Sequence, residues 1–291
     1  ANKGVLDKYI GDAIMSVFGV PYAREDDALR AVLTAIQMQE RLSAYNDQRM
    51  ELGKTPIAIG VGICTGDVVA YCADPVGCID EIRRAGVPVV AGNCEAQLAA
   101  GAPDCGCGFD EGSACDLLSA GWYGYAATRV SEADKDWMGG LPDIISFSHQ
   151  GARYAVIHGG VTAVARFIWP TSPQTVFDEE WKAIEAVIGQ VDHVIAGHSG
   201  VPFVRDMVQG RWINAGVIGM PPHDGRQQTR YAVLDGGEVQ IHRLSYDVSG
   251  ALTAMAAAGL TQGYDAGLRS GYWPSEDVLP PDLRMPSLAS G

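Results

Sequence analysis

The sequence contains no run of about 18 apolar residues, so no membrane-spanning helix is expected, and no signal-peptide pattern, so export is not expected either. Positive charge is scarce: 21 Lys+Arg stand against 35 Asp+Glu, for a net charge of −14. No Lys/Arg run reverses that balance locally. Nucleic-acid phosphates and anionic membrane surfaces are therefore repelled, and neither is an expected partner. A small phosphorylated molecule remains compatible, because a bound cation would supply the charge that the protein lacks. The seven cysteines are an odd number in a chain of 291 residues with an ordinary apolar fraction. This argues for reduced thiols and a cytoplasmic setting rather than a disulfide framework. No internal repeat is found, and the chain begins Ala-Asn-Lys without a methionine, as a fragment or a processed chain would.

At this length the chain can bury a sizeable core, in one large domain or two smaller ones. Residues 5–18, VLDKYIGDAIMSVF, read as a hairpin turning at Gly11 and Asp12. After Pro21, the acidic REDD opens a helix with Leu29, Val32, Leu33 and Ile36 on its buried stripe, and Gly53 ends it. PIAIGVGICTGDVVAY reads as a strand covered on both faces. A short helix over 76–85, a strand VPVVAGN and a Gly/Cys-rich and then helical segment over 96–140 follow. RYAVIHGG and DHVIAGHSG are two further strands with a helix over 178–189 between them, and WINAGVIG, RYAVLDGG and EVQIHRLSY close the pattern. The proline-containing tail after Ala258 is expected to be extended or docked through Trp273. Strands alternating with helices and ending in a run of strands predict a layered α/β domain.

Four polar residues fall at the C-terminal ends of four apolar strands: Asp67, Asn93, His158 and His198. That edge of an α/β sheet is where ligands bind. One carboxylate, one amide oxygen and two imidazoles form a mixed oxygen and nitrogen set suited to a divalent ion such as Mn, Fe, Zn or Ni. A lone loop histidine is more often structural; four such groups, each after a strand, point to a site.

The stretches GDVVAYCADPVGCIDEIRRAGVPVVAGNCE, LPDIISF, RYAVIHGG, VIAGHSGVPF, WINAGVIGMP and RYAVLDGGEV resemble the calcineurin-like metallophosphoesterases, in particular their small bacterial phosphodiesterase branch, over about residues 66–245. The resemblance implies a sandwich of two β-sheets flanked by helices, in α-β-β-α layers, and a two-metal centre. It assigns Asp67 to the carboxylate that bridges both metals and Asn93, His158 and His198 to the other ligands of one of them. The second histidine of the family's G-H-x-H motif is Gly200 here. Cys94 stands where the family has the histidine that assists the leaving group or the attacking oxygen, and Glu95 follows it.

The family's opening D-x-H is missing before Asp67. Residues 4–70 instead resemble the class III adenylate/guanylate cyclase catalytic domain, most closely in KYIGDAIMSVFG and IGVGICTGDVVA. In that resemblance Asp12 matches the second metal-binding aspartate, Lys8 a base-selecting lysine, and Cys64 replaces a usual histidine. The remaining cyclase parts, which act at a dimer interface, do not follow Ala70, so cyclisation by this chain alone is not expected and Asp12 reads as a turn residue. The two likenesses meet on TGDVVA. The expected organisation is a cyclase-like strand-helix-strand over 1–65 packed as part of the fold, a metallophosphoesterase-like domain over 66–250, and a C-terminal helix and Pro-rich tail over 251–291.

Aligned in this way, the positions special to the second metal are Pro21, Ala23 and Gly200, all non-ligating, whereas the first metal's set is complete. One ion per chain is the expectation, serving a phosphomonoesterase or phosphodiesterase. Cys94 and Asp67 are the candidate catalytic residues, and Arg205, Arg211 and His223 the candidate substrate contacts. A phosphate-binding domain without turnover and a cyclase-derived regulatory fragment stand as alternatives, and a homo-oligomer is left open. Cys94, Cys105, Cys107 and Cys115 could clasp a zinc or be ordinary thiols, since C-x-C in a glycine loop is not a standard finger spacing. His149, His193 and His242 lack a partner motif. Asp74, before Pro75, reads as a turn former.

Overall fold

The computed structural model describes residues 5–10, 13–17, 41–42, 45, 47–53 and 62–285. The chain divides into two compact units, Ala1–Ile63 with Phe147–His149, and Cys64–Ser146 with Gln150–Gly291. The division falls two residues before the boundary read from the sequence, and residues 251–285 belong to the second unit.

In the first unit, β1 (Val5–Ile10) and β2 (Ala13–Val17) pair antiparallel, with Ile10 opposite Ala13. The hairpin is the one read from the sequence. Residues 47–51 are helical and are followed by a turn at Leu52 and Gly53. Gly53 has φ 64, a conformation that costs glycine little and stops the helix. The helical stripe Leu29–Ile36, together with Asp12, Pro21 and Ala23, lies outside the described residues.

In the second unit, the strands that position the site are β4 (Ala152–Val156), β5 (His193–Ala196), β6 (Phe203–Asp206) and β7 (Arg211–Asn214). They lie in the order β4-β5-β7-β6 within a five-stranded mixed sheet. β4, β5 and β7 are parallel, with Tyr154 opposite His193 and His193 opposite Arg211, and β6 returns antiparallel to β7. The C-terminal ends of three strands therefore share one edge. α5 (Gln174–Ile188) links β4 to β5 and buries Phe177, Trp181 and Ile184 with Ala155, Val194 and Trp212 of the sheet. Its alternation of exposed and buried turns is the amphipathic stripe of a helix lying on a sheet.

A second core cluster lies on the helical side. α1 (Pro75–Ala85), α2 (Asn93–Ala100), α3 (Ala114–Ala127) and α4 (Glu132–Gly139) contribute Ile79, Leu98, Trp122, Tyr123 and Met138, joined by Met255 of α6 (Val248–Ala257) and Leu268 of α7 (Tyr264–Ser270). The starts of these helices follow from local chemistry. The Asp74 carboxylate accepts the Gly77 N–H at 2.9 Å, so Asp74 caps α1 ahead of Pro75 at the first helical position rather than shaping an isolated turn. Ser131 and Asp134 form a reciprocal capping box at α4. β8 (Thr229–Asp235) and β9 (Glu238–Leu244) form a hairpin turning at Gly236 and Gly237, both at positive φ.

The chain is an α/β fold with a mixed sheet and flanking helices, as expected. Two strands differ from the sequence reading. TGDVVAY is turn and loop, and VPVVAGN is reduced to a single parallel bridge between Cys64 and Val89, since helix α2 already begins at Asn93. Long apolar runs signal burial but do not distinguish a strand from buried loop. No helix among the described residues is long and apolar enough to cross a membrane.

Candidate metal centre

Asp67, His158 and His198 come together, each offering a ligand atom within 4.8 Å of the others. His158 leaves the end of β4 and His198 the end of β5, two positions past each strand, so parallel pairing alone brings the rings side by side. Asp67 follows the Cys64 bridge and Asn93 opens α2 after the Val89 bridge. All four residues singled out in the sequence thus meet at one place.

The hydrogen bonds fix the protonation pattern. His158 Nδ1 lies 2.6 Å from the Thr65 carbonyl, which can only accept, so Nδ1 carries a proton. In the neutral ring Nε2 then presents a lone pair. It faces Asn93 Oδ1 at 3.0 Å, His198 Nδ1 at 3.0 Å and Asp67 Oδ2 at 3.2 Å. Asn93 is oriented by its amide N–H groups, which donate to the Cys105 carbonyl at 2.9 Å and to Cys107 Sγ at 3.3 Å. Oxygens and lone pairs converging on one buried point are the donor set of a divalent cation, so the residues present fit the ion that the sequence implies. Without a cation a proton must take its place. Burial disfavours the imidazolium, yet the Asp67 charge and hydrogen bond raise the His158 pKa above its ordinary value. Burial likewise opposes ionisation of Asp67, but His158 holds its carboxyl well below the usual range. Burial and then the His158 charge lower His198 to about 3, which keeps that ring neutral. Its Nε2 is buried with no partner at hydrogen-bonding geometry among the described residues.

Residues that the sequence did not single out hold this arrangement. Glu95, fully buried, accepts the backbone N–H groups of Asp67 at 2.7 Å, Val68 at 2.8 Å and Gly92 at 2.9 Å. Asp67 has φ 55, a conformation that a non-glycine residue keeps only when its surroundings enforce it. Burial first and the Asp67 charge second push the Glu95 carboxyl up to about 7. Asp67 Oδ1 accepts the Cys94 N–H at 3.0 Å, and a Cβ on Gly92 would run into that same oxygen, so glycine is required there. Asn214, buried at the end of β7, donates to the Gly197 carbonyl at 2.7 Å and to Ser199 Oγ at 2.9 Å, and so pins the loop that gives His198 its φ of 57. Glu180 of α5 fixes the loop after His158 by accepting the Val161 N–H at 2.7 Å and pairing with Arg166. The only sequence signal for these groups was their type: carboxylates and amides inside apolar context, which are retained in a core only when hydrogen-bonded.

The second histidine's place is Gly200. It has φ 69, and a Cβ there would stand 3.1 Å from the Trp273 indole. Trp273 is docked as expected, with Nε1 donating to the Pro221 carbonyl at 2.7 Å and its backbone N–H to His223 Nδ1 at 2.8 Å. An aromatic side chain from the tail thus packs against the position where the resemblance expects a second histidine. Phe167 packs on the His198 ring at 4.3 Å between centroids, which adds an apolar wall to the site.

The candidate substrate contacts do not join this cluster. His223 is bonded to the tail: Nδ1 accepts from the Trp273 backbone N–H, and Nε2 donates to Glu276 at 2.7 Å. Arg205 reaches the Ser172 carbonyl at 2.7 Å and lies 4.3 Å over the Phe177 ring, committed to loop and core. Arg211 begins β7, at the opposite end of the strand from Asn214, and bonds the Gly237 carbonyl. Cys94 lies beside Asp67 but is buried in the core cluster. Burial and then Asp67 hold its thiol well above the ordinary value. Cys105 and Cys107 are disulfide-bonded, which removes them from a zinc clasp and corrects the expectation that all thiols are reduced.

The chain is similar to a metallophosphoesterase from Sphaerobacter thermophilus, at 20% identity and a TM-score of 0.54 over 84% of this chain and 93% of that one. It is also similar to a hypothetical protein from Pyrococcus horikoshii, at 14% identity and a TM-score of 0.54 over 85% and 93%. Both likenesses concern the fold. A stretch of 70 residues is 49% identical to an adenylate cyclase of Anabaena cylindrica, and spans 23% of this chain but only 13% of that protein. The family model described as calcineurin-like phosphoesterase superfamily domain matches residues 55–238, more than half of the chain, and the chain belongs to that superfamily.

Proposed function

We propose that the chain is a metal-dependent phosphoric ester hydrolase, a phosphomonoesterase or phosphodiesterase, that acts on a small phosphorylated substrate through a mononuclear centre held by Asp67, Asn93, His158 and His198. The supporting observation is the His158 Nε2 lone pair turned toward two oxygens and a second ring nitrogen, with its own Nδ1 proton already given to the Thr65 carbonyl. When bound, a divalent ion such as Mn, Fe, Zn or Ni supplies Lewis acidity, which polarises a phosphoryl oxygen and makes water acidic enough to attack near neutral pH. The chain's own residues set the stage for that chemistry. Asp67 enters already ionised, so no proton has to leave it for ligation. Glu95 and Asn214 hold the Asp67 and His198 loops against relaxation. Cys94, kept as a neutral thiol beside Asp67, is available only as a proton donor. With Arg205 and Arg211 engaged elsewhere, the cation offsets the phosphate charge.

The Trp273 indole against Gly200 favours one ion over two. It also motivates the second reading, in which the same loops recognise phosphate without turnover, since a single ion cannot clamp attacking and leaving oxygens together. Hydrolysis of p-nitrophenyl phosphate and bis-p-nitrophenyl phosphate with Mn²⁺ separates the two. Turnover that is lost in Asp67→Ala, with one equivalent of metal per chain lost in His198→Ala, is the expected result. Two equivalents, or none, would refute the mononuclear reading. The 70-residue likeness to an adenylate cyclase supports a cyclase-derived origin for the front segment. Absence of ATP or GTP binding in a titration would remove a nucleotide role for it.

A further inference from the structure

Apart from the metal-ligand cluster, two thiols face each other. Cys72 lies in the loop between Asp67 and α1, and Cys78 lies in the first turns of α1. Their Sγ atoms are 3.7 Å apart and share a hydrogen bond. Both residues are half-buried, open enough for a small reagent and shielded enough to hold one geometry. Cys72 Sγ also donates to the Val69 carbonyl at 3.5 Å, and Tyr125 Oη fixes the same loop through the Ala73 carbonyl at 2.7 Å. The other free thiols are placed differently. Cys94 and Cys115 are buried, and Cys64 reaches only toward the Gly66 carbonyl, at 3.9 Å, in its own loop.

We propose that Cys72 and Cys78 form a redox-modification site that reacts with a low-molecular-weight disulfide, glutathione disulfide being the probe, and closes to an intramolecular disulfide. The sulfurs need to approach from 3.7 Å to about 2.05 Å. Cys78, after losing its proton to solvent, attacks one glutathione sulfur. The protein–glutathione bond forms as the glutathione S–S bond breaks, and one glutathione leaves as thiolate. Cys72, also deprotonated, then attacks the Cys78 sulfur and expels the second glutathione. The protein gives up two electrons and two protons, and glutathione disulfide is reduced to two thiols. The order of attack agrees with the electrostatics. The hydrogen bond with Cys72 lowers the Cys78 pKa, whereas the same bond and burial raise that of Cys72 until the Cys78 sulfur is derivatised. The product would tie the loop that carries Asp67 to α1.

The test uses the full chain, incubated with excess glutathione disulfide, quenched by alkylation, and read by intact mass and peptide mapping. The expected product lacks the two alkyl groups that residues 72 and 78 carry in the untreated chain alkylated in the same way, with residues 72 and 78 linked to each other. Cys72→Ser should stop with one glutathione on Cys78, and Cys115→Ser should react as the unsubstituted chain does. An unsubstituted chain that keeps both thiols alkylatable, that retains glutathione without closing, or that links a different pair overturns the proposal. These outcomes need no variant to fold, and they are independent of whether the metal centre hydrolyses phosphoesters.

Discussion

Among the residues proposed to hold the metal, His158 should carry the pH dependence of affinity. Its Nδ1 proton is committed to the Thr65 carbonyl at 2.6 Å, so only Nε2 can lose a proton or take a cation. The Asp67 carboxylate raises the His158 pKa in the free site despite burial, so below that pKa a proton holds the place of the ion. Asp67 is already ionised across the working range, and His198, lowered to about 3, is already neutral. Neither has a proton to release. A single linked proton corresponds to about a tenfold loss of affinity per pH unit below the His158 pKa, or about 1.4 kcal/mol per unit. Glu95, at about 7 because of burial and the neighbouring Asp67 charge, adds to that slope once a cation offsets the charge. Any excess over tenfold should therefore vanish in Glu95→Gln. Isothermal titration with Mn²⁺ or Zn²⁺ at several pH values, in buffers of different ionisation enthalpy, measures both the slope and the protons released. Affinity that stays flat between about pH 5 and 7 would refute the His158 tautomer and the convergent-acceptor geometry together.

Two further outcomes follow from the packing. Gly200→His should not restore a second equivalent of metal in elemental analysis, because the new side chain meets the Trp273 indole and the backbone stays at φ 69. It should instead cost about 1–3 kcal/mol of stability, seen as a lowered melting temperature. Asp134→Asn should weaken the α4 cap by about 1 kcal/mol. Hydrogen bonds from Ser131 hold the Asp134 carboxyl below its ordinary value against the opposing effect of burial, with Arg83 helping. The folded pKa is depressed, so the contribution is present above the unfolded value of about 3.9 and is lost as pH falls through the folded one. Acid-unfolding curves of the variant should be correspondingly less steep.

The four residues that converge could be read from the sequence because each is a polar group ending an apolar segment, and the burial of such segments forces their ends to one edge. His158 and His198 also owe their placement to true parallel strands, a pattern that the alternation with α5 makes legible. Helix α1 was found within a residue of its bounds because Pro75 and Gly86 punctuate it, although the role of Asp74 as cap was not. Helix α5 begins four residues before its predicted start, directly after Pro173. The place of the arginines could not be read, because a sequence shows that a cation exists but not which end of a strand it faces, and Arg211 lies at the end of β7 away from Asn214.

What the sequence determined by itself is the type of residue at each motif position, Asp67, Asn93, His158 and His198 among them, with Gly200 following His198 by two. Which nitrogen of His158 is free, how Glu95 and Asn214 enforce left-handed backbone at Asp67 and His198, and that Trp273 packs against Gly200 were decided by contacts between residues far apart in the chain. The longest such separation, the 93 positions from Thr65 to His158, leaves no local signature, because hydrogen bonds and van der Waals packing depend on distance in space and not on order along the backbone.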